Sequence, residues 1–342
     1  MKRALTPWVV VAFLALAAVV SAQDAAEKKT GDTVKKEDVR TWTITVDGKE
    51  YEARPATPTY DGDTGLFHLG SAYTLPKGKA AFSLFRDNLD RDPKDVDISI
   101  HGLSLGFGAT SRLEIFGSIG LQNRVNADAL FQPGFVNDYP FVTTGWQTGV
   151  GDVKLGAKFK FLDDYQGDAV GLALKGYVKL PTADEQKGLG TGKASAGADL
   201  VLSKRLGYGA DIHGLLGFQV NSDPDDVAIG NALRYGVGVN LPSCRVFQLQ
   251  AEILGTRYSG ADVAQTSSAD LIIGPVFWIK PGIFIRPALS WNLNFDDRGL
   301  GSSSKSYTGR QIAIGYHPAT ICRECYTPPP PPPPPANRPP TV

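Results

Sequence analysis

Evenly spaced lysines are the first candidates for chemistry in this 342-residue chain. Lys154, Lys158 and Lys160 fall at even intervals, and so do Lys175 and Lys179. Successive side chains of an extended strand alternate between its faces, so each set shares one side. The two segments that carry them are consecutive, and as neighbouring strands their lysines would form a basic stripe. Acidic residues hold the corresponding positions of the next two segments, Asp199 and Asp211. Glu114, Arg124, Asp152, Arg234, Glu252, Asp270 and Arg286 complete the charged residues expected on that face. Rings and stripes of charge inside a pore set its selectivity. The same charges, paired across a narrow barrel, would fill it instead. The glycine and charge of this face favour a pore over a plugged barrel.

Catalytic motifs are weak. Gly188-Leu189-Gly190-Thr191-Gly192-Lys193 looks like a phosphate-cradling loop, but its spacing is one residue short. Ala194 stands where the hydroxyl residue belongs, and a strand rather than a helix follows. His68, His101, His213 and His317 are scattered without metal-ligand spacing, which predicts no metal and no cofactor. His213 with Ser195 or Ser203 on a neighbouring strand is the nearest approach to a nucleophile–base pair. No GxSxG or HExxH motif accompanies it, so lumen lining is the simpler reading and no enzyme is expected. Cys244, Cys322 and Cys325 are the three cysteines. In an oxidising exported compartment a disulfide among them is the default. Cys322–Cys325 is the local pairing, and Cys244 to either would tie the tail to the barrel rim. The sequence leaves the pairing open.

The elements that must position these residues begin at Lys79. From there to His317 run twelve segments with period-two alternation: 79–89, 96–109, 113–125, 148–162, 169–181, 194–205, 210–221, 231–242, 246–258, 269–279, 283–296 and 308–317. In 148–162, Val153, Leu155, Ala157, Phe159 and Phe161 share one face and Asp152, Lys154, Lys158 and Lys160 the other. Alternate connections are long and short, the asymmetry of an outer-membrane barrel. This predicts an all-β fold, a transmembrane antiparallel up-and-down β-barrel of about twelve strands, with both chain ends on the short-turn, periplasmic side. Segment 96–109 breaks parity between Ile100 and Leu103, so a bulge is expected near His101-Gly102. Pro275 and Pro287 lie inside segments where a ladder N–H would be missing.

Residues 1–22 read as a signal peptide. Lys2 and Arg3 precede a short apolar run, and Val20-Ser21-Ala22 supplies small residues for cleavage. Residues 23–70 are expected as a periplasmic N-terminal segment with a hairpin at 41–53, marked by Asp47-Gly48. The barrel is placed at 71–318, and 319–342 form a Cys-containing, Pro-rich periplasmic linker. The run Pro328 to Pro335 adopts polyproline II, a semi-rigid spacer. Lysine and arginine number 35 and acidic residues 35, giving no footprint for nucleic acid. The partners this implies are outer-membrane lipid and small solutes.

Three stretches resemble the outer-membrane barrel family associated with the meta-pathway of phenol degradation. They are Leu75-Pro76-Lys77-Gly78-Lys79, Gly149 through Lys158, and Leu180-Pro181-Thr182 through Gly190-Thr191-Gly192-Lys193. The resemblance implies a twelve-stranded barrel serving hydrophobic solutes, and assigns no substrate residue. The barrel-plus-polyproline layout is similar to OmpA-type proteins, in which a linker leads to a peptidoglycan-binding domain. That likeness implies cell-wall contact through a domain beyond Val342, and hence a truncated sequence. The expected function is a narrow passive pore in the outer membrane; the alternative is a structural OmpA-like protein.

Overall fold

The computed structural model describes residues 42–91, 96–127, 136–206, 210–225, 227–241, 247–259, 267–293 and 308–321. Its centre is a closed antiparallel barrel of twelve strands. These are β5 (Ala80–Asn88), β6 (Val96–Gly108), β7 (Leu113–Ala127), β9 (Val153–Leu162), β10 (Gly171–Leu180), β11 (Ser195–Arg205), β12 (Asp211–Asn221), β13 (Asn231–Leu241), β14 (Phe247–Ser259), β15 (Ser267–Lys280), β16 (Ile283–Asn292) and β17 (Thr308–Tyr316). A three-residue strand, β8 (Gln147–Gly149), pairs with the far end of β7. Each barrel strand pairs with its neighbours in sequence, and β17 closes on β5 through Ile314 opposite Leu84.

Alternation decides what each strand buries. In β11, Ser195, Asp199, Val201 and Ser203 are buried, while Ala196, Ala198, Leu200 and Leu202 are exposed. The outward set continues around the barrel as Phe82, Leu105, Phe107, Leu155, Phe159, Leu174, Leu216, Phe218, Leu233, Phe277, Leu289 and Ile312, all exposed. A belt of this kind would be unfavourable in water and suits a hydrocarbon surround. No helix among the described residues is long and apolar enough to cross a membrane, so spanning falls to the strands.

The irregular positions have local causes. Pairing shifts between His101 and Gly102, where the bulge was expected, but the extra residue is Leu121 on β7. Strand β6 keeps its parity: Val96, Ile98, Gly102, Ser104 and Gly106 are all buried. The apparent parity break arose because Ile98 and Ile100 are apolar residues on the inner side, Ile98 packing with Val96, Val125 and Val136. Register pairs Ile273 with Leu289 and Phe277 with Ile285, which sets Pro275 opposite Pro287. The β15–β16 ladder is interrupted between those pairs, as two residues without N–H groups require.

Residues 42–76 form no part of the barrel wall. Strands β1 (Trp42–Val46) and β2 (Lys49–Arg54) make the expected hairpin around Asp47-Gly48. It lies at the short-turn end, where β2 also pairs with β18 (Thr320–Ile321). Strands β3 (Thr57–Pro58) and β4 (Thr64–Gly65) form a second, minimal hairpin. That hairpin and the chain after it lie inside the barrel. The boundary expected at residue 70 is therefore misplaced: residues 57–70 pack against the inner wall. Leu66, Phe67 and Leu69 are fully buried there, and an external segment would have left them in water.

Candidate functional site

Between β3 and β4 the chain makes a tight turn. Thr59 N donates to Asp63 O (2.6 Å), Thr59 Oγ1 donates to Asp63 Oδ1 (2.6 Å), and Gly62 N donates to Thr59 O (3.0 Å). Gly62 has φ +109°, a left-handed conformation that only glycine adopts without strain. It also lies flat on the wall: a Cβ there would sit 2.3 Å from Leu105 O. The turn aims two carboxylates, Asp61 and Asp63, at the lysines of β9 and β10.

Those lysines need carboxylates. The β9–β10 register sets Lys158 opposite Lys175 and Lys154 opposite Lys179, and like charges directly across a ladder are destabilising. Lys175 Nζ lies 2.9 Å from both Asp61 and Asp63, Lys158 lies 3.2 Å from Asp63 and 3.3 Å from Glu114, and Lys154 lies 2.6 Å from Asp61. Lys179 pairs with Asp152 (3.3 Å), and Lys160 with Asp163 in the following turn. The expected basic stripe exists as five inward lysines, each matched by a carboxylate. Lys158, Lys175, Asp63 and Glu114 have no exposure at all. A water-filled lumen would wet them, so the inserted segment fills the barrel at this level.

Other strands grip the same segment. Glu252 on β14 accepts from three consecutive amides, Phe67 N (3.1 Å), His68 N (2.8 Å) and Leu69 N (3.2 Å). Arg286 on β16 donates to Thr57 Oγ1, Pro58 O and Leu66 O, and its guanidinium lies 4.4 Å over the Phe67 ring. Glu114 accepts from Thr64 N (2.8 Å) and Thr64 Oγ1 (2.9 Å). Ser104 donates to Thr59 O, and Ser203 accepts from Ala72 N. Tyr60 stacks on Phe85 at 4.5 Å and donates to Gln311. A Cβ on Gly238 would come 2.3 Å from Leu66, so a glycine of the inner face makes room for the segment.

The plug leaves space at both ends. On the long-loop side a chamber of about 300 Å³ has Tyr60, Asp61 and His68 of the segment among its lining. Lys154, Lys179, Arg234, Asp152, Asp87, Asp138 and Asp270 line it too, with Phe85, Ile98, Ile100 and Ile272. On the short-turn side a cavity of about 410 Å³ lies among the β1–β2 hairpin, residues 73–77 and the β9–β10 turn. In that turn Asp164 accepts from Tyr73 Oη (2.9 Å) and from Arg205 N. Burial raises the Asp164 carboxyl above the ordinary aspartate range, against the lowering effect of these hydrogen bonds.

Of the charged residues expected inside, Asp199 pairs with Arg234 (2.9 Å), Asp270 with Arg91 (3.0 Å), and Asp211 accepts from Tyr165 Oη (2.8 Å). Glu114, Asp152, Lys154, Lys158, Lys160, Lys175, Lys179, Glu252 and Arg286 meet the partners already given. Arg124 does not join them. Beyond the Leu121 bulge the buried residues of β7 are Asn123, Val125 and Ala127, so Arg124 points outward and lies 4.6 Å over the exposed Trp146 ring. One inserted residue reverses every later side chain on a strand. Ser203 and His213 do come together, at 2.8 Å, but both are buried behind the segment. The second imidazole nitrogen faces the Asn240 amide rather than a carboxylate, so no third member orients the pair. Cys244, Cys322 and Cys325 lie outside the described residues, as do residues 1–22 and the polyproline run.

Sequence reasoning missed Asp61, Asp63, Tyr60, His68, Asp87 and Asp138. A signal existed for the first two: five lysines on one inner face had too few carboxylates on the adjacent strands. Tyr60-Asp61-Gly62-Asp63 is a turn carrying two of them.

Fold and interior together define the class: a twelve-stranded barrel of the transmembrane type, filled part-way by its own N-terminal segment. No family profile matches the chain, and no curated protein matches it. Among solved structures it is similar to an outer-membrane channel from Pseudomonas putida F1, with TM-score 0.50 and 16% identity over 72% of this chain and 97% of that one. The NanC porin is also similar, with TM-score 0.43 and 10% identity over 69% of this chain and 98% of that one. At these identities the likeness concerns the fold.

Proposed function

We propose that the protein is a passive outer-membrane channel for small solutes, with its N-terminal segment as an internal plug. The observation that carries this reading is the contrast between the two faces of the barrel. The outer face is a continuous apolar belt, and the inner face is polar, with a solute-sized chamber ending on residues 60–68. The outer-membrane channel of similar fold supports it. Conduction then requires the segment to shift, because it packs against the wall where Lys158, Lys175, Asp63 and Glu114 are fully buried. In this reading the short turns and both described chain ends face the periplasm, as the loop asymmetry of such barrels implies.

The test is conductance of the full chain in planar bilayers. Small, infrequent openings are expected for the native chain. A variant with a weakened plug contact, Glu252→Ala, should open more often. A folded, membrane-inserted barrel that conducts in neither form overturns the proposal.

A further inference from the structure

The chamber above the plug is electrically lopsided. Its basic residues are all engaged: Lys154 by Asp61, Lys179 by Asp152, Arg234 by Asp199 and Arg91 by Asp270. Two of its acidic residues, Asp138 and Asp87, are not. The Asp138 carboxylate accepts from Tyr258 Oη (3.0 Å) and has no cation within 4.0 Å among the described residues. Asp87 is 6% exposed and meets only a histidine, with His68 Nε2 3.3 Å from its Oδ2. Its other oxygen, Oδ1, has no hydrogen-bond partner although it is buried. Asn123 Oδ1, also buried and on the chamber wall, is a second acceptor without a donor.

Buried acceptors without donors are costly, and a carboxylate oxygen is the costliest. A solute that donates to them recovers that free energy. A cation does so best, because among the described residues no lysine or arginine forms an ion pair with Asp138 or Asp87. Phe85, Ile98, Ile100 and Ile272 give the same chamber an apolar surface. We propose that the chamber is a binding site for a small organic ammonium ion. The ammonium is met by Asp87 Oδ1, with Asp138 as the second carboxylate, and the alkyl body lies on the apolar residues. This rests on the channel reading only in that a solute must reach the chamber from the long-loop side.

Binding in detergent separates the two proposals, since it needs no conduction. Ligand-observed NMR titration of the full-length protein would compare n-propylammonium chloride with sodium propionate, probes of like size and opposite charge. The ammonium should bind and the propionate should not. Asp87→Asn should weaken ammonium binding about tenfold, as loss of a charge-assisted hydrogen bond predicts. Asp138→Asn should weaken it less. Heat-modifiable mobility on gels checks that each variant folds, and Asp138→Asn carries the test if Asp87→Asn does not. Equal binding of both probes, or ammonium binding unchanged in the folded variants, overturns the site and leaves the channel reading standing.

Discussion

Lys175 on β10 and Asp63 in the inserted segment lie 2.9 Å apart with no exposure of either side chain, and they are separated by 112 residues of sequence. This pair joins the barrel wall to the plug. Lys158, Lys154 and Asp61 extend it into a network of three lysines and two aspartates, with Glu114 beside Lys158. Removing one partner from a buried ion pair costs about 3–5 kcal/mol, because the charge left behind is desolvated. Asp63→Asn should therefore loosen the segment. Chymotrypsin, which cuts after Tyr60 and Phe67, should cleave it faster than the native chain. Adding Lys175→Met should restore part of the protection, since the surplus charge is then gone.

Glu252 offers a second lever without a lysine. Its carboxylate collects three backbone amides of residues 67–69. Glu252→Gln keeps one acceptor oxygen, while Glu252→Ala keeps none and strands three buried donors. Losses of about 1–3 kcal/mol per stranded group are expected. Amide hydrogen exchange at Phe67, His68 and Leu69 should accelerate in the order native, Gln, Ala.

The outer face predicts a different response. Leu216, midway along β12, is 58% exposed between Leu200 and Tyr235 of the neighbouring strands. Leu216→Arg should cost about 2–4 kcal/mol in bilayers, as a cation at the midplane of a transmembrane barrel does. Reversible urea unfolding from lipid vesicles measures it. A change within error would mean that β12 does not face hydrocarbon.

Asp164 gives a pH dependence whose sign is fixed. Its carboxyl is raised in the folded protein, so the folded state holds that proton to higher pH than the unfolded chain. The native chain should lose stability as pH rises from the ordinary aspartate value of about 3.9 toward the raised one, and then level off. Asp164→Asn should lack that decline. The difference between the two unfolding midpoints across this window isolates the residue from other titrating groups.

How much of this was legible in the sequence depends on the range of each interaction. Strand number, strand faces and loop asymmetry could be read because alternation is local. Each strand records, residue by residue, which side meets apolar surroundings. The bulge was expected on segment 96–109 from a parity break that β6 does not have; it lies on β7, and Arg124 was misassigned because the extra residue Leu121 reverses the reading. Residues 57–76 carry no such period. Their place is set by contacts as far as 253 residues away, such as Leu75–Glu114 and Thr64–His317. The sequence by itself determined a barrel with a charged interior. Only the tertiary structure decided that the interior is occupied, because carboxylates from outside the repeating pattern neutralise lysines that face one another across a ladder.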